Sequence, residues 1–285
     1  MADYKKQLLK ISDLHGCGEG AVRSFIERTF IEDFSKGNVV EGKSIIAEFA
    51  DYGFDNVLKV FADRKMDFKS LKSVETGELL EGTVLDNCLS QLKGYDPDCL
   101  NFIIKAGGYT KTDLAKSFMK LCQLHQETIK ENVQKVNCLH LDSAFDILLQ
   151  NGLDLNEIVD GRIAFHSLCE LYSFAKKNDS SSCYREMLEN SMQRMLDNDA
   201  DVNAVDDFGK TAFSFNDMEM KSRFVRHHRV KEEKRMLDLF MIVGSLLDKL
   251  EDNEHKPLVE AHIQTIKRDM ASYAKRARFD SFRQK

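Results

Sequence analysis

Tryptophan is absent from this 285-residue chain, and proline occurs only twice. With 15 glycines beside those two prolines, the punctuation that many short strands would require is thin. That argues against an all-β sandwich or barrel, and helices are the default expectation. Cysteine is present but unorganised: seven residues, an odd number, with no Cys-x-x-Cys pair, describe neither a disulfide framework nor a zinc ribbon and point to a reducing compartment. Long apolar runs are also lacking. Residues 1–20 hold no continuous apolar stretch of the kind a secretory signal needs, and the longest run, residues 239–247, is broken by Gly244 and Ser245 and is far too short to span a bilayer. No serine elbow, paired-carboxylate arrangement, Rossmann glycine pattern or His-Glu-x-x-His motif is found, which removes the best arguments for an enzyme.

What is there is a chain able to bury a core, with 42% hydrophobic and 31% charged residues. The net charge of -6 is unevenly placed. Residues 221–235 carry seven Lys/Arg against two Glu, and residues 256–285 carry eight Lys/Arg against three Asp/Glu; together they hold +10, leaving -16 on the rest. An acidic body and a basic C-terminal part favour different partners.

Weak self-similarity runs through the middle of the chain. Four segments close an apolar helical stripe with a turn and a short tail: ADRKMDF (62–68), IKAGGYT (104–110), LQNGLDL (149–155) and LDNDADV (196–202). The stripes are Val57, Leu58, Phe61; Leu100, Ile103, Ile104; Phe145, Leu148, Leu149; and Met192, Met195, Leu196. Corresponding turn positions fall at Lys65, Gly107, Gly152 and Asp199, so the steps are 42, 45 and 47 residues. A Gly, Asn or Asp at such a place supplies a left-handed helix cap. A second recurring element opens the next helix: EGKSIIAEFA (41–50), EGTVLDNCL (81–89), DGRIAFHSLC (160–169) and FGKTAFSF (208–215). Its hydroxyl residues Ser44, Thr83 and Thr211 stand where an N-cap would satisfy the free amides.

Two of these joins, residues 148–170 (LLQNGLDLNEIVDGRIAFHSLCE) and 195–213 (MLDNDADVNAVDDFGKTAF), resemble the ankyrin repeat, whose usual form reads LLxxGADVNxxDxxGxTPLHxAA. Asp201, Val202, Asn203, Asp206, Gly209 and Thr211 match position by position. The proline after threonine is missing throughout, and the steps exceed the family's ~33 residues. Residues 176–183 (KKNDSSSC) are extra and lengthen a loop or helix within a repeat. The resemblance implies an all-α, ankyrin-type helical solenoid of four to six irregular repeats over residues 41–215. Residues 1–40 would form a helical N-terminal cap or a degenerate repeat, with helices at 4–14 and 19–34. Residues 216–285 would form a C-terminal helical repeat or cap, with helices at 218–252 and 257–282 and Pro257 at a helix start.

Several motifs could carry chemistry. GNVVEGKS, residues 37–44, matches the P-loop pattern, but the preceding residues are helical in period, and Val39, Val40 and Glu41 put bulk and a carboxylate where phosphates would sit. The same triplet recurs as Gly209, Lys210 and Thr211, so a repeat feature is the stronger reading. Cys138 with His140, and His166 with Cys169, have spacings compatible with metal or nucleophile chemistry. Against this, His166 stands at the histidine of the ankyrin TPLH-like segment, which in that family ties adjacent turns by hydrogen bonds, and Cys88 and Cys169 stand at small buried positions. Neither a metal nor a cofactor is expected. Arg226, His227, His228 and Arg229 form a basic patch able to face phosphate or an acidic partner, although a solvated helix face explains them better and nucleic acid is not favoured. Residues 275–278 (KRAR) share that ambiguity.

By the family analogy the chain is a protein-binding scaffold or adaptor. Contacts are expected from the finger residues Glu157, Ile158, Asp160, Ala204, Asp206, Asp207 and Phe208 and from the inner-helix positions Arg162 and Ser167, with a basic surface favoured at the acidic repeats. A monomer without membrane attachment is expected, acting in the cytoplasm. In style the eroded, Pro-poor repeats resemble those of ankyrin effectors that intracellular bacteria deliver into host cells, so a host protein is one expected partner. The competing reading is an enzyme with its active site in the non-repeat helices and repeats that select substrate.

Overall fold

The computed structural model describes residues 37–40, 43–90, 96–132, 138–178 and 180–215, together with a few single positions near either end. The chain divides into two compact units, Met1–Lys221 and Ser222–Lys285. The architecture that follows is that of the first. The expected caps at 1–40 and 216–285 lie almost wholly outside the described residues, as does the basic patch Arg226, His227, His228 and Arg229.

The described part is mainly helical. Its helices are α1 (Ile45–Asp51), α2 (Asp55–Asp63), α3 (Val84–Leu89), α4 (Pro97–Gly107), α5 (Lys111–Asn132), α6 (Cys138–Gln150), α7 (Ala164–Lys177) and α8 (Ser182–Asp197). Two small antiparallel pairs accompany them: β1 (Val39–Val40) with β2 (Lys43–Ser44), and β3 (Ser70–Lys72) with β4 (Leu79–Thr83). Two further loops close with single bridges, Val159 to Arg162 and Val205 to Thr211, the latter leading into a 3-10 turn at Ala212–Phe215. The boundary read between residues 40 and 41 therefore falls inside a hairpin. An all-helical chain was expected from composition; the short hairpins escape it because they need few residues of strand character.

The helices pack in two series. α1 touches α3, α3 touches α5, α5 touches α7 and α7 touches the 3-10 turn; α2 touches α4, α4 touches α6 and α6 touches α8. Each odd helix also packs on the even helix that follows it. Every hairpin immediately precedes a member of the odd series. The apolar stripes read from sequence supply the interior: all twelve positions are buried except Leu149, which is half-buried.

Local chemistry explains where the helices begin and end. Ser44 Oγ accepts from the Ala47 amide at the start of α1. Thr83 opens α3 with a capping box, its hydroxyl accepting from the Asp86 amide while the Asp86 carboxylate accepts from the Thr83 amide. Left-handed residues stand at the expected turn positions Lys65 (φ 59°), Gly152 (φ 92°) and Asp199 (φ 67°). In the second segment that role belongs to Gly108 (φ 58°) and not to Gly107. Gly107 is needed for a different reason: a Cβ there would lie 2.5 Å from the Tyr109 ring and 2.9 Å from the Phe68 carbonyl. Residues 176–183 lengthen both a helix and a loop, since α7 runs to Lys177 and α8 starts at Ser182.

Candidate functional site

The hairpins and loops that open the odd helices are built by a recurring side-chain device. In Asp67-Phe68-Lys69, Asp154-Leu155-Asn156 and Asp201-Val202-Asn203 the aspartate accepts from the amide two residues on, at 2.9, 3.0 and 2.8 Å. The apolar middle residue is buried each time. Asparagines then join successive loops. Asn38, 2% exposed, donates to the Asp67 and Ser70 carbonyls at 2.7 and 2.9 Å and accepts from the Lys72 amide at 3.1 Å. Asn156 repeats the clamp further along, donating to the Asp199 carbonyl at 2.9 Å and accepting from the Asp201 amide at 2.7 Å.

The third and fourth loops, residues 153–163 and 200–211, are held together more closely still. Asp160 (φ 49°) and Gly161 (φ 72°) make a tight two-residue turn between Val159 and Arg162. The Asp207 amide donates to the Gly161 carbonyl at 3.2 Å, and the Asp207 carboxylate fills the space where a Gly161 side chain would be. Beneath them His166, 1% exposed, accepts from the Ile163 amide on Nδ1 and donates from Nε2 to the carbonyls of Ala204 (2.9 Å) and Lys210 (3.2 Å). This histidine is structural; its ring is spent on backbone groups.

The residues expected to touch a partner divide on this geometry. Ile158 and Phe208 are exposed, at 71% and 80%, and Asp160 and Asp207 are exposed beside them. Glu157 and Ala204 are half-buried, and the Glu157 carboxylate accepts from Thr112. Asp206 is a correction: it is buried, and its carboxylate accepts from the amides of Phe208 (3.0 Å) and Lys210 (2.8 Å), so it shapes its loop from within. Burial acts to raise its pKa, but those two amides, with His166 and Arg162 nearby, outweigh it and hold the carboxyl below the usual range. Ser167 is the second correction, being buried where exposure was expected. Arg162 is half-buried, pairs with Glu170 at 2.8 Å and lies over the Phe215 ring.

Sequence reasoning missed Leu79 and Leu80 on β4. Among the described residues the exposed large apolar side chains are Leu79, Leu80, Ile158, Val205 and Phe208, and all five lie on these hairpins and loops. The repeat template could not flag the two leucines, because the second hairpin departs from it most. Beside the third loop a cleft of about 430 Å³ opens between α5 and α7, lined by Lys116, Gln123, Glu127 and Lys130 of α5 and by Asp160 and Arg162. Its charges are of both signs.

In the P-loop-like segment the Asn38 amide donates to the Lys72 carbonyl and the Ile45 amide to the Asn38 carbonyl, so these donors are spent inside the fold. Burial pushes the Cys88 and Cys122 thiols upward and the Cys99 thiol up to about 12, the reverse of what a nucleophile needs. No cluster of three or more His, Cys, Asp and Glu fit for a metal ion occurs among the described residues. Within the same residues no helix is long and apolar enough to cross a membrane. Compared with known proteins, the sequence matches no family and no curated protein.

Proposed function

We propose that the chain is an ankyrin-type helical repeat scaffold that binds another protein along its row of hairpins. The observation that carries this reading is that, among the described residues, the exposed large apolar side chains all lie on the hairpins and loops, because grouped apolar exposure marks protein contact surfaces. The two packing series, the hairpin before each odd helix except α5, and the His166 ties between successive loops support a repeat stack. The setting proposed is the cytoplasm, of its own cell or of a host into which it is delivered, with the chain acting as a monomer.

Affinity capture from lysate tests the reading. Proteins retained by the wild type are expected to be lost from an Ile158→Ser/Phe208→Ser variant whose circular dichroism is unchanged. Retention of the same proteins by both would count against it.

A further inference from the structure

The composition around the exposed apolar residues repeats. Leu79 and Leu80 stand between Glu78 and Glu81, Ile158 stands between Glu157 and the Asp160 turn, and Phe208 follows Asp207. Of the cations on the same hairpins and loops, Lys69 is paired with Asp113 at 2.5 Å, Lys72 stands across the ladder from Leu79, Arg162 is held by Glu170 and the Lys210 ammonium lies 5.8 Å from the centre of the Phe215 ring. Carboxylates thus flank Leu79, Leu80, Ile158 and Phe208 along the chain, with Lys72 as the cation facing Leu79. An acidic segment, a nucleic acid or an anionic bilayer would be repelled by those carboxylates, whereas a basic segment gains on both counts.

The row is also divided. α4 ends at Gly107 and α5 begins at Lys111, with no hairpin between them, so the second hairpin is separated from the joined third and fourth loops by one missing finger. Each side of the gap carries its own apolar and acidic residues. The third and fourth loops enter binding already locked by the Asp207 and Asn156 contacts, which lowers the ordering cost of association.

Resting on the protein-binding reading above, we propose that the hairpin row receives one basic segment of a partner protein, with Leu- or Phe-type anchors among Lys and Arg. One anchor seats against Leu79 and Leu80, and another against Ile158 and Phe208.

Three fluorescein-labelled synthetic peptides test this against the full chain by fluorescence polarisation: Lys with Leu and Phe at every third or fourth position, the same with Glu for Lys, and the same with Ser for Leu and Phe. The first is expected to bind at least tenfold more tightly than the others. Its affinity should fall at least tenfold in Leu79→Ser/Leu80→Ser and again in Ile158→Ser/Phe208→Ser, and should fall in Glu78→Gln/Asp160→Asn. All these positions are exposed, Leu80 at 41%. Asparagine tolerates the left-handed backbone of Asp160. Equal binding of the Glu peptide, an affinity unchanged in every variant, or hairpin-dependent sedimentation with phosphatidylserine vesicles would overturn the proposal. If lysate capture still depends on the hairpins while the Lys peptide fails, the partner chemistry is wrong and the scaffold reading stands. If capture ignores the hairpins, the scaffold reading itself falls.

Discussion

Single residues do unequal work in this molecule, and the buried polar ones do most. Asn38 makes three hydrogen bonds to backbone groups of the next hairpin from a site almost sealed from water. Its replacement by alanine would strand those groups, and the urea unfolding midpoint of Asn38→Ala should report a loss of about 3 kcal/mol. His125 is the other case. Fully buried, it meets the Tyr184 hydroxyl at 2.9 Å and His140 Nδ1 at 3.4 Å, joining α5 to α6 and α8. Burial, with His140 adding to it, pushes its pKa down to about 3 from the ordinary 6.5. Because the folded form binds the proton less well than the unfolded chain, this contribution is complete above about pH 6.5 and is lost as pH falls toward 3. Between pH 7 and pH 5 the wild type should therefore lose about 2 kcal/mol more than a His125→Phe variant in parallel urea titrations. An equal loss in both would contradict the buried neutral histidine. Neither residue was legible in the sequence, because an asparagine clamp and a histidine pair show no period. Asp206 and Ser167 misled in the opposite way: as polar residues at a tip and on an inner helix they read as exposed, yet one caps its own loop and the other is covered.

At the scale of elements the sequence was far more readable. The hydroxyls of Ser44 and Thr83 mark helix starts because free amides at a helix N-terminus need acceptors, and both are used so. Thr83→Ala removes one half of the box at α3 and should cost about 1 to 2 kcal/mol, seen as a lower thermal midpoint; Thr83→Ser should restore most of it. The turn positions were legible for the same kind of reason, since a left-handed residue must follow a helix that reverses. Gly107 and Gly108 adjoin, and only the packing of Tyr109 and Phe68 reveals which glycine serves the turn and which the close approach. The unusual length of α5, 22 residues against six in α3, could not be read from its neighbours. Its exposed face is polar, so periodicity alone gave no boundary.

At the scale of the molecule, among the described residues the odd and even series of helices leave the row of hairpins as the edge where large apolar side chains stay in water. The mainly helical character was legible from composition. The acidic and apolar character of the edge was legible only for the third and fourth loops, where the ankyrin-like motif placed Ile158 and Phe208 at tips. Hydrogen–deuterium exchange of the full chain, with and without a captured partner, tests the central claim most directly. Protection is predicted in peptides covering residues 75–81, 157–161 and 203–208, with the even helices α2, α4, α6 and α8 unchanged. Protection of the even helices or of residues 222–285, with the hairpins exchanging as freely as before, would contradict the account.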